Sequence, residues 1–475
     1  MKPELLSPAG SYKSMRYAFA YGADAVYAGQ PRYSLRVRNN EFNHLDIMAE
    51  AVAEAHRGGK QFYVASNISP HNDKVRTYLR DMEPVIAMGP DALIMSDPGL
   101  IMLVRERWPE MPIHLSVQAN AVNYATVRFW HRQGISRVIL SRELSLEEIE
   151  EIRDQCPQME LEVFVHGALC IAYSGRCLLS GYMNHRDPNQ GACTNACRWK
   201  YQAHEATQTE TGDIVPVRPV GAWNPADAAP PEEEASPLVL LQEASRPGEL
   251  MPAYEDEHGT YIMNSKDLRA VQHVPRMVEM GIKSLKIEGR TKSHYYVART
   301  AQTYRRAIDE AVNGAPFDMG LMRELDHLAN RGYTEGFYRR HVPEAYQNYD
   351  QGNSGNTQQQ FVGDIAELDA DRGWITIEVK NRFATGDVLE LITPAGNRTF
   401  TLNHLENLRG ETIAAAPGSG HRVRFPLPDG GFGDAGGEFA LLMRHLPGAP
   451  STAAGPSAAG LSAAGLSSTR PSATR

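Results

Sequence analysis

Leu161-Glu162-Val163-Phe164-Val165-His166-Gly167 is a short apolar run, rich in β-branched residues, that ends in a polar side chain and a glycine. Such a run reads as a strand buried on both faces, the kind that builds parallel sheets. Upstream the form recurs in Glu4-Leu5-Leu6-Ser7, Ala25-Val26-Tyr27-Ala28-Gly29, Gln61-Phe62-Tyr63-Val64-Ala65-Ser66-Asn67, Ala92-Leu93-Ile94-Met95-Ser96-Asp97, Ile113-His114-Leu115-Ser116-Val117-Gln118 and Arg137-Val138-Ile139-Leu140-Ser141-Arg142-Glu143. Downstream it returns once, in Ser284-Leu285-Lys286-Ile287-Glu288-Gly289. Helix-period segments lie between these runs. One opens at Ser145, whose hydroxyl and the Glu148 carboxylate predict a capping box. Another is expected from Asp267 through Leu268, Val271, Val274 and Met277 to Gly281, with Pro275 inside it. Strands that alternate with amphipathic helices imply a parallel sheet covered by helices, and eight such units predict an α/β fold, a closed (β/α)8 TIM-like barrel.

Closure of the barrel matters because active sites of such folds gather at the carboxyl ends of the strands. The polar residues that end the runs, among them Tyr27, Asn67, Asp97, Gln118, Arg142, His166, Lys286 and Glu288, would then share one rim. Each also has a plainer reading, as a helix cap or as half of a structural ion pair.

The 475 residues exceed one ordinary domain, so a large domain, a smaller one and unpacked segments are expected. A barrel over 1–350 would contain the cysteine segment 166–200 and, at 205–247, an insertion mixing Pro, Ala and acids that reads as flexible. Val297 to Val312 reads as a helix, and 352–360 as a polar linker. Residues 361–445 alternate in a way that predicts a small antiparallel β-barrel, and the repeats of 447–475 read as a disordered tail. The formal net charge of -9 gives no global attraction to a polyanion, although a local basic groove still could. The N-terminus lacks the pattern of a secretory signal, and no stretch approaches the ~20 apolar residues of a membrane span, so a cytoplasmic protein with no membrane partner is expected.

Four of the five cysteines, Cys170, Cys177, Cys193 and Cys197, crowd into positions 170 to 197 with the spacing Cys-x6-Cys-x15-Cys-x3-Cys. In a reducing compartment such crowding points to metal and away from disulfides. Zinc knuckles pair ligands two to four residues apart, which the first gap does not allow. Four soft thiolates among glycines suit an iron–sulfur cluster, with zinc as the alternative. Cys156 stands apart as a plain, partly buried thiol.

Glu162-Val163-Phe164-Val165-His166-Gly167-Ala168-Leu169-Cys170, followed after four residues by Gly175-Arg176-Cys177-Leu178-Leu179-Ser180, resembles the signature of the collagenase-like peptidase family U-thirty-two. Glu4-Leu5-Leu6-Ser7-Pro8-Ala9-Gly10, Tyr21 to Gly29 and Lys286-Ile287-Glu288-Gly289-Arg290 resemble the same family, and the similarity runs from residue 1 to about 445, excluding the insertion and the tail. The family label implies a peptidase. The branch most similar to this chain is linked instead to oxygen-independent hydroxylation of the wobble uridine of tRNA to 5-hydroxyuridine, with prephenate as hydroxyl source and an iron–sulfur cluster, of the 4Fe-4S kind, on the matching cysteines. Partners implied are tRNA, prephenate, and an electron donor or cluster-assembly proteins.

The residues favour the hydroxylase over the peptidase. There is no His-Glu-x-x-His, no Gly-x-Ser-x-Gly and no evident cysteine nucleophile, the four clustered thiols being better used as ligands. A dicarboxylate donor calls for guanidinium forks, which Arg142 and Arg290 offer, with Arg36 and Arg38 in reserve and Asn67 and Gln118 as further substrate contacts. Glu288, Asp97 and His166 are the candidates for proton transfer. Lys74 to Arg80 and Tyr333 to Arg340 offer basic and aromatic residues for RNA. A non-catalytic, cluster-bearing RNA-binding or assembly factor is the remaining reading.

Overall fold

The computed structural model describes residues 1–35, 40–169, 266–328 and 332–339 of the large domain, with 173, 176–177, 189, 191 and 330. It also describes the backbone of 201–208, 214–219, 239–243 and 250–253, and residues 359–369, 372–428 and 437–446. Cys170, Cys193, Cys197, Arg36, Arg38, the 352–358 part of the linker and the tail 447–475 lie outside the described residues.

The seven upstream runs form β1 (Glu4–Pro8), β2 (Ala25–Gly29), β3 (Gln61–Ser66), β4 (Ala92–Met95), β5 (Ile113–Leu115), β6 (Arg137–Ile139) and β7 (Glu160–Ala168). Four strands follow in the insertion, β8 (Tyr201–Gln208), β9 (Ile214–Pro219), β10 (Val239–Glu243) and β11 (Leu250–Ala253). They make a separate antiparallel sheet in the order β11-β10-β8-β9, so ordered ladders occupy part of the stretch expected to be flexible. The short β12 (Asp267–Arg269) precedes β13 (Ser284–Ile287), the eighth strand of the barrel. All neighbours in the barrel are parallel, and β13 pairs with both β1 and β7, which closes the ring. Leu6 sits opposite Lys286 on one side and Ala25 on the other.

Helices cover the barrel where the sequence placed them. The capping box is present: Ser145 and Glu148 exchange side-chain and backbone bonds at the start of the helix Leu146–Gln155. The expected helix from 267 is shorter than its pattern. Asp267–Arg269 instead pairs antiparallel with the end of β7, and helix begins at Val274, with Pro275 in its first turn, where the missing N–H costs nothing. The long helix His294–Val312 starts from the Ser293 N-cap. Beyond it, β14 (Tyr333–Thr334) pairs with β12.

The C-terminal part contains β15 (Gln359–Asp369), β16 (Trp374–Val379), β17 (Phe383–Ala384), β18 (Val388–Thr393), β19 (Gly396–Thr401), β20 (Glu406–Asn407), β21 (Ala415–Ala416), β22 (Arg422–Pro426) and β23 (Leu441–His445). Seven of them form an antiparallel sheet ordered β19-β18-β23-β15-β16-β22-β20. Residues 361–445 thus form the small antiparallel β domain that the sequence predicts. Its core is apolar, with Val362, Ile375, Ile377, Leu389, Val423 and Phe425 buried. The two domains share packing: Tyr295 stacks on Phe361 at 5.1 Å, and Ile392, Leu441 and Met443 join the barrel's own core. No helix of the described residues is long and apolar enough to cross a membrane.

Candidate active site at the barrel mouth

A (β/α)8 barrel is usually filled by branched aliphatic side chains. This one carries a column of charge along its axis. Inward-facing positions alternate along a strand, so Glu162 and Phe164 of β7 share a face. Glu162 is fully buried, and its Oε1 accepts from Nζ of Lys286 at 2.8 Å. Its Oε2 accepts from Nη1 of Arg137 at 3.2 Å, and the same nitrogen donates to Oε1 of Glu4 at 2.7 Å. Burial alone would raise the Glu162 carboxyl, but Lys286 and Arg137 together hold it below the usual range. Burial lowers the Lys286 ammonium against the pull of Glu162. An apolar replacement of such a buried pair is often neutral or stabilising, by about 1–4 kcal/mol. Stability therefore does not account for the column.

At its upper end the column meets the mouth. Nζ of Lys286 lies 4.3 Å from the ring centroid of Tyr27 and 5.5 Å from that of Phe164. The buried Tyr27 hydroxyl is 3.0 Å from both the Ile287 carbonyl and Oε2 of Glu288, two acceptors competing for one proton. Burial, then the Glu288 charge, pushes that phenol well above its ordinary value. Arg290, also buried, donates from Nη1 to Oγ of Ser34 at 2.7 Å and lies 5.5 Å from the Tyr27 ring. Arg142 stacks 4.0 Å over Phe164 and donates from Nη1 to the Ala168 carbonyl at 2.8 Å, while its Nε is buried with no hydrogen-bond partner among the described residues. Three cations thus surround two aromatic rings, with Glu288 beside them.

The other sequence candidates are placed differently. The Oδ1 of Asp97 caps the helix Pro98–Arg107 by accepting from the Leu100 N–H at 2.9 Å. Asn67 laces strand ends: its Nδ2 donates to Oγ of Ser116 at 3.2 Å and its carbonyl accepts from Oγ of Ser96 at 3.1 Å. Gln118 sits half-exposed in the short turn Val117–Ala119, its N–H directed to Oγ of Ser116 at 3.4 Å. His166 is enclosed by the rings of Tyr296, Tyr304 and Tyr333, with centroids 5.5–5.8 Å away. Burial, then the charges of Arg269 and Lys292, pushes its imidazole down to about 3, so it is neutral at pH 7. Tyr333 and Tyr338 are not an RNA-stacking surface. Tyr333 packs on His166, and Tyr338, buried, bonds the Phe164 carbonyl. Lys74 to Arg80 lies in the helix Asn72–Ala87, with Arg76 and Arg80 exposed.

One proposed cluster ligand is described. Cys177 is half-buried, and its carbonyl accepts from Nδ2 of Asn189 at 3.1 Å. The Asn189 carbonyl in turn accepts from the N–H of Ser69, three residues beyond β3, at 3.0 Å. Cys177 is thereby tied to the mouth, and β7 ends two residues before Cys170 in the chain. Cys156, in contrast, is fully buried, not partly, and its Sγ points to the Tyr124 carbonyl.

Sequence reasoning missed Glu162 and Arg137. Their signal was parity: a charged residue two positions before Phe164 falls on the same face of an otherwise apolar strand.

Known proteins bear on this geometry. The tRNA hydroxylation protein P of Escherichia coli is 62% identical over 449 residues, covering 94% of this chain and 98% of its own. The protein of the same name from Haemophilus influenzae is 59% identical, covering 94% and 96%. The 23S rRNA 5-hydroxycytidine C2501 synthase of Escherichia coli is 29% identical over 78% of this chain and 47% of its own. Residues 10–348 match Peptidase family U32 and residues 357–433 match the Peptidase family U32 C-terminal domain. Matched over both the barrel and the C-terminal domain, the chain belongs to peptidase family U32.

Proposed function

We propose that this chain is a tRNA-modifying enzyme that hydroxylates uridine, at the wobble position and to 5-hydroxyuridine, without molecular oxygen. The observation that carries the reading is 62% identity to a tRNA hydroxylation protein along nearly the whole of both chains. Prephenate is the proposed hydroxyl donor. Arg142, with a buried Nε that no described residue satisfies, and Arg290 across Tyr27 and Phe164 would hold its two carboxylates, and Lys286 adds positive charge beneath them. Glu288 and the Tyr27 hydroxyl form the pair able to hold a proton at Oε2 beside the donor. A 4Fe-4S cluster on Cys170, Cys177, Cys193 and Cys197 would supply redox or Lewis-acid chemistry at the rim. A separate donor protein would set the redox state of the cluster, since exchange of the donor's hydroxyl for the C5 hydrogen of uridine needs no net electrons.

A peptidase finds less support. Among the described residues no three His, Cys, Asp or Glu side chains are grouped to hold a metal ion, and His114 and His166 are buried and held neutral. Mass spectrometry of tRNA nucleosides from a strain lacking the gene tests the proposal. The expected result is loss of 5-hydroxyuridine and its derivatives, restored by the wild-type gene but not by Cys193→Ala or Arg142→Ala. Persistence of those nucleosides in the deletion strain would overturn it. Turnover by the purified, anaerobically reconstituted protein with tRNA and prephenate separates catalysis from an assembly role.

A further inference from the structure

We propose that the barrel-side end of the C-terminal sheet, around Lys380, Arg382, His421 and Arg422, is the surface on which the phosphate backbone of the RNA docks. The inference rests on the reading that this chain acts on tRNA.

Helices of a parallel barrel begin at the end where its strands finish, so the first turns of Tyr12–Ala20 and His294–Val312 stand at the level of the mouth. Asp364 of β15 is held at that level from both helices. Its Oδ2 accepts from Nζ of Lys13 at 2.8 Å, and its Oδ1 lies 2.7 Å from Nε2 of His294. The start of β15 then positions its neighbours. The Val362 carbonyl accepts from the Lys380 N–H at 2.8 Å, and the Phe361 carbonyl accepts from Nδ2 of Asn381 at 2.8 Å. One strand further out, the Val379 N–H donates to the His421 carbonyl at 2.9 Å, and Arg422 stands opposite Glu378 in the ladder. Residues 378–382 and 421–422 are therefore gathered at the edge of the C-terminal sheet that adjoins the mouth.

The charge of this edge is uneven. Among the described residues gathered here, the four cations Lys13, Lys380, Arg382 and Arg422 stand with two acids, Asp364 and Glu378. Both acids are already engaged, Asp364 with Lys13 and His294 and Glu378 with Lys380. Arg382, His421 and Arg422 are exposed and have no acidic partner among the described residues. In a chain of net charge -9 this patch cannot be the average surface showing through. Exposed guanidinium forks without carboxylates match phosphate geometry, and such contacts fix the register of a nucleic acid without reading its sequence. A base entering the mouth brings its own backbone past this edge. An acidic protein is the competing occupant and is decided by the test.

The experiment uses the full-length protein and unmodified tRNA transcripts. Filter binding is measured for wild type, Arg382→Glu/Arg422→Glu and the control Arg372→Glu, which lies at the far end of β16, between about 50 and 200 mM salt. The double variant is expected to lose at least tenfold in affinity, and its slope of log affinity against log salt is expected to fall by about 2, near one per lost phosphate contact. The control is expected to match wild type. Should reversal of charge impair folding, Arg382→Gln/Arg422→Gln is expected to give the same fall in slope. If wild type binds and the double variant binds equally with an unchanged slope, the docking surface is refuted while the tRNA reading stands. Unchanged tRNA binding with loss of modification in cells would assign the patch to an acidic protein and also refute it. Failure of the wild-type protein to bind or modify tRNA would bring down the tRNA reading itself.

Discussion

The rim of the barrel divides into two arcs built from the same kind of strand end. Along β3, β4 and β5 the polar groups are amides, hydroxyls and one capping carboxylate, and they bond to one another or to the next helix: Asn67 to Ser116, Ser96 to Asn67, Asp97 to Leu100. Along β6, β13 and β2 they are Arg142, Lys286, Glu288 and Tyr27, and their partners are aromatic faces or groups on other strands, the buried Glu162 among them. A neutral group bonded within its own arc needs no ligand to be satisfied. A cation over a ring, with a buried nitrogen that no described residue bonds, leaves interaction energy for an anion to take up. Position at a strand end is thus shared by both arcs, and the partner separates fastening from chemistry.

The strongest way to break this contrast is at the buried pair. Lys286→Met leaves Glu162 charged and relying on Arg137 alone, and should cost about 3–5 kcal/mol in urea unfolding, the usual price of stranding a buried charge. Lys286→Met/Glu162→Gln removes both charges and should recover most of that stability. Both variants should lose tRNA hydroxylation. A double variant that is stable and still active would show that the column is a scaffold only.

A smaller and pH-dependent effect is expected at the wall behind the charged arc. His166 has its folded pKa lowered to about 3, so the folded state disfavours the proton that the unfolded chain accepts below about 6.5. Below that pH the unfolded state binds more protons, and each unit of acidification towards the folded value costs wild type about 1.4 kcal/mol. His166→Phe removes this share. Its stability relative to wild type should rise by about 2 kcal/mol between pH 7 and pH 5, measured by urea unfolding at each pH. A difference that stays flat over that range would place His166 in contact with water or with an acid.

Much of the contrast's framework is legible in the chain, because eight buried parallel strands leave uninterrupted apolar runs that no helix period explains. Capping is legible for the same reason of locality, as Ser145 and Glu148 show. What escapes is whatever depends on distant segments. Asp267-Leu268-Arg269 fits a helix by its spacing, yet β7 offers it an open ladder, and pairing overrides propensity. Tyr333 and Tyr338 sit in a polar stretch that reads as surface, but the aromatic rings cover the wall of β7. Arg142 and Arg290 are visible as cations at strand ends. That they flank Tyr27 and Phe164 over a Lys286–Glu162 pair follows only once the ring has closed.

The smallest expected effect sharpens the contrast most, because it concerns the one acid on the neutral arc. If Asp97 serves as a cap, its role needs an oxygen at the right place and no titratable proton. Asparagine provides that oxygen and caps about as well as aspartate. Asp97→Asn should therefore change stability by no more than a few tenths of a kcal/mol and leave tRNA hydroxylation intact, whereas Asp97→Ala should cost about 1 kcal/mol through the orphaned Leu100 N–H. A tenfold or greater fall in the hydroxylation rate of Asp97→Asn, at unchanged stability, would require the carboxylate's charge or proton. That outcome would move Asp97 to the chemical side of the rim and dissolve the boundary between the arcs at β4.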